Sequence, residues 1–296
     1  MNKEIRDFFD DKGIIVKKIT INGGVIIVDT GAKKYVIKKR NIKNLDLFKY
    51  LASRGFNNYP KILFNTDNYD VFDYIYSVDI PNEERATDII KLVSKLHSKT
   101  TFYKDIDDDY YKNIYEDFID NINYLFNYYD DYVNIIDNDI YMSPSNYYFV
   151  RNISLVFKAL NYCRNYINRW YDIIKNKKRI RVVNLHNNLS LDHYLVSDNQ
   201  YFISWDKSIK DMPIFDLVVF YKRYYNVFDF VDLINLYVLY FPLLEEEKYL
   251  LFCFMIIPSK LEFNSCEFDM CSIVNSFYDY IDNSLKIVNE LDNVEK

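Results

Sequence analysis

The stretch that decides the fold runs from His186 to Val196 and reads HNNLSLDHYLV. This polar loop follows an apolar, β-branched run at residues 180–185 and precedes a second extended run at residues 201–205. On both sides of this segment the sequence follows a helical pattern over long distances. The sequence therefore predicts one loop and hairpin within an otherwise helical half of the chain.

The first 80 residues have a different character, because short β-branched runs alternate with glycine-containing turns. These runs predict an antiparallel meander followed by two more strands. Helical spacing of apolar residues within residues 46–53 predicts one helix, which Arg54 and Gly55 would end. The predicted strands are residues 13–21, 24–29, 34–38, 60–64 and 69–75.

Beyond Pro81 the pattern becomes helical, first over residues 86–98 and then over almost all of residues 104–175. One seam is predicted, near residues 77–83, and no internal repeat or Gly/Ser-rich linker accompanies it. The helical half is therefore expected to follow the β-rich part directly.

These patterns together predict an α+β fold with two lobes. A small lobe, residues 1–80, would hold an antiparallel sheet and one helix. A larger and mostly helical lobe, residues 81–296, would contain the loop and hairpin segment, which spans residues 180–216.

Composition and charge exclude several classes of protein. The net charge is −6, from 37 basic and 43 acidic residues that are interleaved along the chain, so no electrostatic track for nucleic acid is expected. The first residues lack the apolar run of a signal peptide, and no stretch of about 18 residues is free of charge. The four cysteines lack CxxC spacing, which favours free thiols over a zinc site or disulfides. We expect a cytoplasmic protein without a membrane span.

The order of these segments resembles that of protein-kinase-like phosphotransferases, in particular the aminoglycoside and choline kinases. The resemblance is closer to the spore-coat-associated kinase-like proteins of sporulating Gram-positive bacteria. It covers nearly the whole chain and implies the two-lobed kinase fold. The residues that carry it are 34–39 (KYVIKK), 54–56 (RGF), 96–97 (LH), 186–196, 203–206 (ISWD) and 211–217 (DMPIFDL).

In active members of this superfamily the loop reads His-Gly-Asp-Leu-His-x-x-Asn, and the hairpin ends in Ile-Asp-Trp or Ile-Asp-Phe. There the loop Asp accepts or orients the proton of the substrate hydroxyl, while the Asn and the hairpin Asp hold Mg²⁺ against the nucleotide phosphates. Matched by position, this chain has Asn188 in place of the proton acceptor. It has His193 and Ser204 in place of the two metal ligands.

These three replacements affect one small site. An amide has no basic lone pair near neutral pH, so Asn188 is not a general base. Imidazole and hydroxyl groups are poor ligands for a hard cation, which argues against Mg²⁺ at His193 and Ser204. The resemblance implies structural roles for His186, beneath the loop, and for Asp216, which would brace the loop by accepting hydrogen bonds.

A relocated site is the alternative. Asp192 lies four residues after Asn188, and Asp206 lies two residues after Ser204 on the same face of an extended segment. Together with Asp211 these carboxylates are a conceivable substitute for the lost metal site. Acids at the positions of Asp206 and Asp211 also occur in members that keep the other carboxylates, which favours a supporting role for both.

The sequence motifs expected for nucleotide binding are weak in this chain. Lys38 matches the strand lysine that contacts nucleotide in the family. Gly23 and Gly24 would cover a phosphate, although two glycines between strands also form a plain turn. The acidic helix partner of Lys38 is not identified, since Asp46, the nearest helix acid, is equally explained as a solvated residue.

The resemblance leads to three candidate functions. The first is a pseudokinase, a catalytically impaired kinase-fold protein that needs no cofactor and assembles with protein partners in the spore coat or cortex. The second is an active transferase that uses ATP and Mg²⁺ to phosphorylate a hydroxyl group of a small molecule. The third is a regulator that holds a nucleotide without turning it over. The three replacements favour the first. The sequence identifies no acceptor molecule, partner or oligomeric state.

Overall fold

The computed structural model describes residues 2–22, 24–263 and 266–293, and its α+β composition confirms the predicted fold class. The helices are α1 (Asn2–Asp10), α2 (Ile42–Ser53), α3 (Asn82–Thr100), α4 (Tyr110–Asp137), α5 (Pro144–Ile174), α6 (Ile214–Tyr224), α7 (Phe230–Tyr240), α8 (Glu245–Ile256) and α9 (Glu267–Asn293). The strands are β1 (Lys18–Asn22), β2 (Val25–Asp29), β3 (Lys34–Lys39), β4 (Ile62–Asn65), β5 (Tyr69–Asp73), β6 (Phe102–Asp105), β7 (Arg179–Leu185), β8 (Tyr194–Val196), β9 (Gln200–Phe202) and β10 (Ile209–Asp211).

The chain divides into two compact units, and the first is discontinuous in sequence. It comprises Met1–Arg85 and Asn188–Ser208, while the second comprises Ala86–Asn187 and Ile209–Lys296. The predicted boundary assigned the whole loop and hairpin segment to the helical lobe. In the structure the β8–β9 hairpin groups with the β-rich unit instead.

The first unit is built on a five-stranded antiparallel sheet with the strand order β1-β2-β3-β5-β4. Strands β1 to β3 form the predicted meander, and β5 inserts between β3 and β4. Because side chains alternate across a strand, Ile37 and Val71 face one side of the sheet, where they are buried in one cluster with Phe9 of α1. Val36 and Phe72 face the opposite side.

Helix α1 was not predicted from the sequence. The one helix predicted in this part of the chain corresponds to α2. Ile5, Phe8 and Phe9 have the spacing of a helix face, but the segment is short and rich in charge, so its pattern is weak. The ring of Phe9 lies 5.3 Å from that of Tyr35 on β3. The helix forms because an apolar sheet face needs a covering layer.

Helix α2 begins earlier than the predicted start at residue 46. The side chain of Asn41 accepts a hydrogen bond from the Lys43 amide at 3.1 Å and so caps the first turn of the helix. This turn lacks the helical spacing of apolar residues that marks the remainder of α2. The helix ends as predicted, because Gly55 adopts φ +75°, a conformation that residues with a Cβ rarely take.

Hydrogen bonds and aromatic packing explain why the hairpin belongs to the first unit. The side-chain amide of Asn58 donates to the Gln200 carbonyl at 2.8 Å, and the Val78 amide donates to the Val196 carbonyl at 2.7 Å. Beyond the hairpin, the buried ring of Trp205 contacts Phe48 edge-on at 6.2 Å. The hairpin thus completes the core of the β-rich unit.

The second unit consists of helices α3 to α9 and a small antiparallel sheet with the strand order β10-β7-β6. Helix α5 packs against α4, α8 and α9, and Val156, Cys163 and Trp170 along its length are fully or almost fully buried. The predicted run at residues 180–185 is β7. Across the described ranges, no helix is both long and apolar enough to span a bilayer.

The start of α5 is held by hydrogen bonds to a carboxylate of α9, which the sequence did not predict. Ser143 caps the helix by accepting a hydrogen bond from the Asn146 amide at 3.3 Å. Glu267 at the start of α9 accepts hydrogen bonds from both the amide and the hydroxyl of Ser145, at 2.6 and 3.0 Å. The carboxylate thereby joins the N-terminal turns of two long helices.

Buried tyrosine hydroxyls fasten the segment between α8 and α9 to α4. Tyr129 donates to the Ser259 carbonyl and Tyr128 donates to the Leu261 carbonyl, both at 2.5 Å. The Leu261 amide in turn donates to the Tyr129 hydroxyl at 3.1 Å. Each buried hydroxyl therefore has a partner, and its burial raises the pKa of Tyr129 above the ordinary value.

We expect Phe9→Ala to lower the free energy of unfolding by about 3–5 kcal/mol, because a fully buried ring is lost and α1 no longer covers the sheet. Urea denaturation followed by circular dichroism measures the effect. Phe268→Ala is the matched control, since Phe268 is 85% exposed and its loss should change the unfolding midpoint little. Equal effects of the two substitutions would contradict the packing described for α1.

We expect stability to fall as the pH rises above about 10, the unfolded value for tyrosine. Burial raises the pKa of Tyr221 to about 12, so above the unfolded value the native state holds a proton that the unfolded state releases. Urea midpoints measured across this range should show the decline, and Tyr221→Phe should reduce its slope. Tyr141→Phe, at a residue 90% exposed, should leave the slope unchanged.

Candidate functional site

A cavity of about 350 Å³ lies within the first unit. Val36 and Phe72, on the sheet face opposite α1, line one part of it, and Leu195 and Ile203 from the hairpin region line another. A volume of this size with mostly apolar walls is typical of small-molecule sites. The cavity therefore forms where the uncovered sheet face meets the hairpin.

Charged side chains enter this cavity from three places in the first unit. Lys38 lies two residues after Val36 on β3 and so shares its face of the sheet. Asp206 and Asp73 also line the cavity, and the Asp206 carboxylate accepts a hydrogen bond from the Asn44 side-chain amide at 3.0 Å. The structure thus brings together Lys38, Ser204 and Asp206 among the residues singled out from the sequence.

Ser204 reaches the cavity through an unusual backbone conformation. Its φ and ψ are 63° and 52°, in the left-handed region that costs a residue with a Cβ about 1–2 kcal/mol. The turn that follows buries Trp205, whose indole N–H donates to the Phe202 carbonyl at 2.7 Å. Trp205 forms part of the cavity wall without filling the cavity, and neither Tyr194 nor Phe202 lines it.

Within the second unit, the backbone at the start of the polar loop is held by Asp216 near the beginning of α6. Its fully buried carboxylate accepts hydrogen bonds from the amides of His186 and Asn187 at 2.8 and 2.6 Å. Asn187 has φ 54°, at the position where active family members have glycine, and asparagine tolerates this region better than most residues. The carboxylate therefore stabilises a strained turn.

A third hydrogen bond to Asp216 comes from His97 at the end of α3. The His97 Nε2 lies 3.1 Å from the carboxylate, and its Nδ1 lies 2.6 Å from the hydroxyl of Tyr237 on α7. A carboxylate only accepts, so Nε2 carries a proton toward Asp216. This chain links α3, α6 and α7 to the loop.

Two further residues, Asn188 of the loop and His193 at its end, contact each other within the first unit. The His193 Nδ1 lies 2.7 Å from the Asn188 carbonyl oxygen, and because a carbonyl only accepts, this nitrogen donates the hydrogen bond. Neither residue lines the cavity. His193 therefore stabilises the loop backbone in the position where the family has a metal-binding Asn.

The donors around the cavity do not fit Mg²⁺, the ion that the fold family implies. Mg²⁺ requires an octahedral set of oxygen ligands and is usually held by one or two carboxylates. Two carboxylates, Asp73 and Asp206, line the cavity, but neither occupies a position matched to a metal ligand. Those positions hold Ser204, which offers a neutral hydroxyl, and His193, which does not line the cavity. Asp192 is exposed and does not line it either. No group of three His, Cys, Asp or Glu side chains is placed to hold a metal in the part of the chain that the structure describes.

The other predicted candidates lie outside the cavity lining. Gly24 is exposed with φ +83°, and Gly23 lies outside the described residues. Asp46 is solvated, 3.8 Å from Lys49 in an exposed ion pair. Asp211 belongs to the second unit, where burial raises its pKa.

Two polar residues near Lys38 were missed by the sequence analysis. Asn44 is the polar α2 side chain among the described lining residues, and it lies in the first turn that was not assigned to the helix. Asp70 is the direct partner of Lys38 across β3 and β5. It is buried, its pKa is raised by that burial, and it accepts a hydrogen bond from the Asn41 amide at 3.3 Å. The strand register, which the sequence did not provide, was the signal needed to find it.

Solved structures with a similar fold include aminoglycoside phosphotransferases and choline kinases. An aminoglycoside phosphotransferase from Alicyclobacillus acidocaldarius is 8% identical, with 94% of this chain and 92% of that chain covered and a TM-score of 0.68. A spectinomycin phosphotransferase, solved with ADP and spectinomycin, is 12% identical over 96% and 98% of the two chains, with a TM-score of 0.54. A choline kinase from Streptococcus pneumoniae is 13% identical over 98% and 99%, with a TM-score of 0.51.

These similarities show the kinase-like fold predicted from the sequence, and at such low identity they show the fold alone. A scan against protein-family models and a search of curated proteins gave no match. Activity and ligand must therefore be argued from this chain's own residues.

We expect Asp216→Asn to lower the free energy of unfolding by about 3–5 kcal/mol, because the amide turns a donor toward groups that themselves donate. Urea denaturation measures the loss. Asp232→Asn, at an exposed position on α7, is the control and should leave the midpoint almost unchanged. A neutral effect of Asp216→Asn would show that the loop does not depend on this carboxylate.

Proposed function

We propose that this chain is a catalytically impaired kinase-fold protein that binds a flat, largely uncharged ligand such as a nucleoside in the cavity of its first unit and transfers no phosphoryl group. The observation that carries the proposal is the cavity itself, which has mostly apolar walls but places Ser204, a neutral hydroxyl, at the position matched to a metal-binding carboxylate. The chain would therefore bind a ligand without catalysing a reaction on it.

The walls of the cavity support a planar ligand. Val36 comes from the sheet and Leu195 and Ile203 from the hairpin, so apolar side chains line it from two elements. A ring system between such walls is stabilised by removal of apolar surface from water, at about 25 cal/mol per Å². A purine or a similar heteroaromatic ring fits this requirement.

The charges of the cavity argue against a triphosphate. Of the described residues that line it, three are ionised at neutral pH: the cation Lys38 and the carboxylates Asp73 and Asp206. One cation does not neutralise a triphosphate, and the two carboxylates repel it. Ser204 and His193, at the positions matched to the metal ligands, supply no carboxylate that would favour Mg²⁺ beside the phosphates. A nucleoside should therefore bind more tightly than ATP.

The biological setting that we propose is a binding or assembly role with protein partners in a sporulating cell, including incorporation into the spore coat. The support for this part is the sequence resemblance alone, and fold similarity does not determine function. The nucleoside-type ligand would regulate such an assembly by stabilising the first unit.

We expect saturating adenosine to raise the melting temperature by about 2–4 °C, because a ligand that binds only the native state stabilises it by mass action. Mg²⁺ should not alter this shift, and ATP should produce a smaller one. The fluorescence of Trp205, one of two tryptophans in the chain, should report binding in a Trp170→Phe background. Val36→Phe should fill the cavity and abolish the response, whereas Ile21→Phe, at an exposed position, should not.

The same assay distinguishes the active transferase. A shift with ATP that requires Mg²⁺, together with ATP consumption that is lost in Asn188→Ala, would contradict the proposal. As the converse test, Asn188→Asp with Ser204→Asp restores two carboxylates and should create Mg²⁺-dependent ATP binding. Asn57→Asp with Ser53→Asp makes the same charge change at exposed positions and should not.

A further inference from the structure

A second cavity, of about 640 Å³, lies within the second unit. Arg179 and Arg181, at the start of β7, line it, whereas the end of β7 leads into the polar loop. None of the residues matched to the kinase motifs lines this cavity. It is therefore a separate feature from the candidate site.

The inner wall of this cavity is apolar and aromatic. Trp170 and Ile174, from the last turns of α5, are buried there, and Tyr111 at the start of α4 lies beside them. Tyr103 on β6 also lines the cavity and is 60% exposed, so its ring is accessible from solvent. The Tyr111 hydroxyl donates to the Arg179 carbonyl at 3.0 Å, which fixes the start of β7 against this wall.

Cations outnumber carboxylates in the lining. The cations are Lys177, Lys178, Arg179 and Arg181, and the carboxylates are Glu246 and Glu247 at the start of α8. Whether a ligand can contact one of these charges depends on the ion pair that the group already forms.

The two carboxylates are already engaged inside the cavity wall. Glu247 forms a bidentate ion pair with Arg181, including a hydrogen bond from Nε at 2.9 Å, and it also accepts from the Leu244 amide at 3.0 Å. Glu246 accepts from the Lys177 ammonium group at 2.5 Å. The guanidinium of Arg181 also lies 4.5 Å from the Phe241 ring, so this pair is a packed part of the fold.

The remaining two cations, Lys178 and Arg179, pair with carboxylates that do not line the cavity. Lys178 contacts Asp108 at 3.0 Å and Arg179 contacts Asp105 at 2.7 Å, and all four side chains are mostly exposed. Exposed pairs of this kind contribute about 0–1 kcal/mol, so a ligand can displace them at little cost. The charged groups that a ligand can contact by displacing a weak ion pair are therefore two cations, Lys178 and Arg179.

We propose that this cavity binds a small organic anion that carries an aromatic ring, with the ring against Tyr103 and Tyr111 and the anionic group at Lys178 and Arg179. The apolar wall selects the ring, and the lysine and arginine select a phosphate or carboxylate group. The cavity volume lies within the range of small-molecule sites. This inference does not depend on the function proposed for the first unit.

The two tryptophans of the chain allow the sites to be observed separately, since Trp170 lines this cavity and Trp205 lines the other. With Trp205→Phe as the background, titration with phenyl phosphate should change the fluorescence of Trp170 saturably. Inorganic phosphate and benzyl alcohol, each of which supplies half of the chemistry, should bind at least about tenfold more weakly. Added salt should weaken phenyl phosphate binding, because the charge interaction is screened.

Two variants with matched controls test the assigned contacts. Lys178→Glu with Arg179→Glu should weaken phenyl phosphate binding by about tenfold or more, whereas Lys91→Glu with Lys286→Glu should not. The control residues are also cations paired with carboxylates, and neither lines the cavity. Tyr103→Ala should weaken binding, whereas Tyr240→Ala, at an exposed residue of α7, should leave it unchanged.

Equilibrium dialysis of phenyl phosphate with the unsubstituted chain keeps the test independent of any folding defect in the variants. Absence of saturable binding at millimolar concentrations would overturn the inference. So would binding that is unchanged by the charge reversal at Lys178 and Arg179, or equal affinity for inorganic phosphate. Saturable binding that depends on both the cations and Tyr103 would support it.

Discussion

The buried carboxylate of Asp216 is the group on which the arrangement of the polar loop depends. It receives hydrogen bonds from two consecutive amides, those of His186 and Asn187, and from the imidazole of His97. A buried carboxylate is tolerated only when donors surround it, and here the donors belong to the loop that follows β7 and to α3. Because two of them are backbone groups, the contact constrains the path of the chain rather than the identity of the side chains.

Because the contact acts on backbone groups, the loop geometry accommodates the side chains found in this chain. Asn187 adopts the left-handed conformation of a glycine, and Ser204 adopts it at the end of the hairpin. His193 uses its ring to hold the Asn188 carbonyl. Each of these side chains satisfies a backbone or cavity requirement.

The sequence predicted those features that local pattern determines. The meander β1 to β3, the end of α2 at Gly55 and the strand β7 all follow from β-branched runs, turn residues and periodicity. Helix α1 was missed because its stability comes from packing against the sheet rather than from its own residues. Asn44 and Asp70 were missed for a related reason, since helix capping and strand register place them beside Lys38. Neither cavity was visible in the sequence, because each is lined by residues from distant segments.

The discontinuity of the first unit has a consequence for how the chain acquires its structure during synthesis. Residues 1–85 lack the hairpin that completes their core, and that hairpin spans residues within 188–208. At the usual rates of translation, on the order of 10 s passes between the emergence of these two segments. During this interval Phe48 and Phe56, which contact Trp205 in the finished unit, have no such cover. The nascent β-rich segment therefore exposes apolar surface until more than two thirds of the protein has been made, a period in which a chaperone has something to bind.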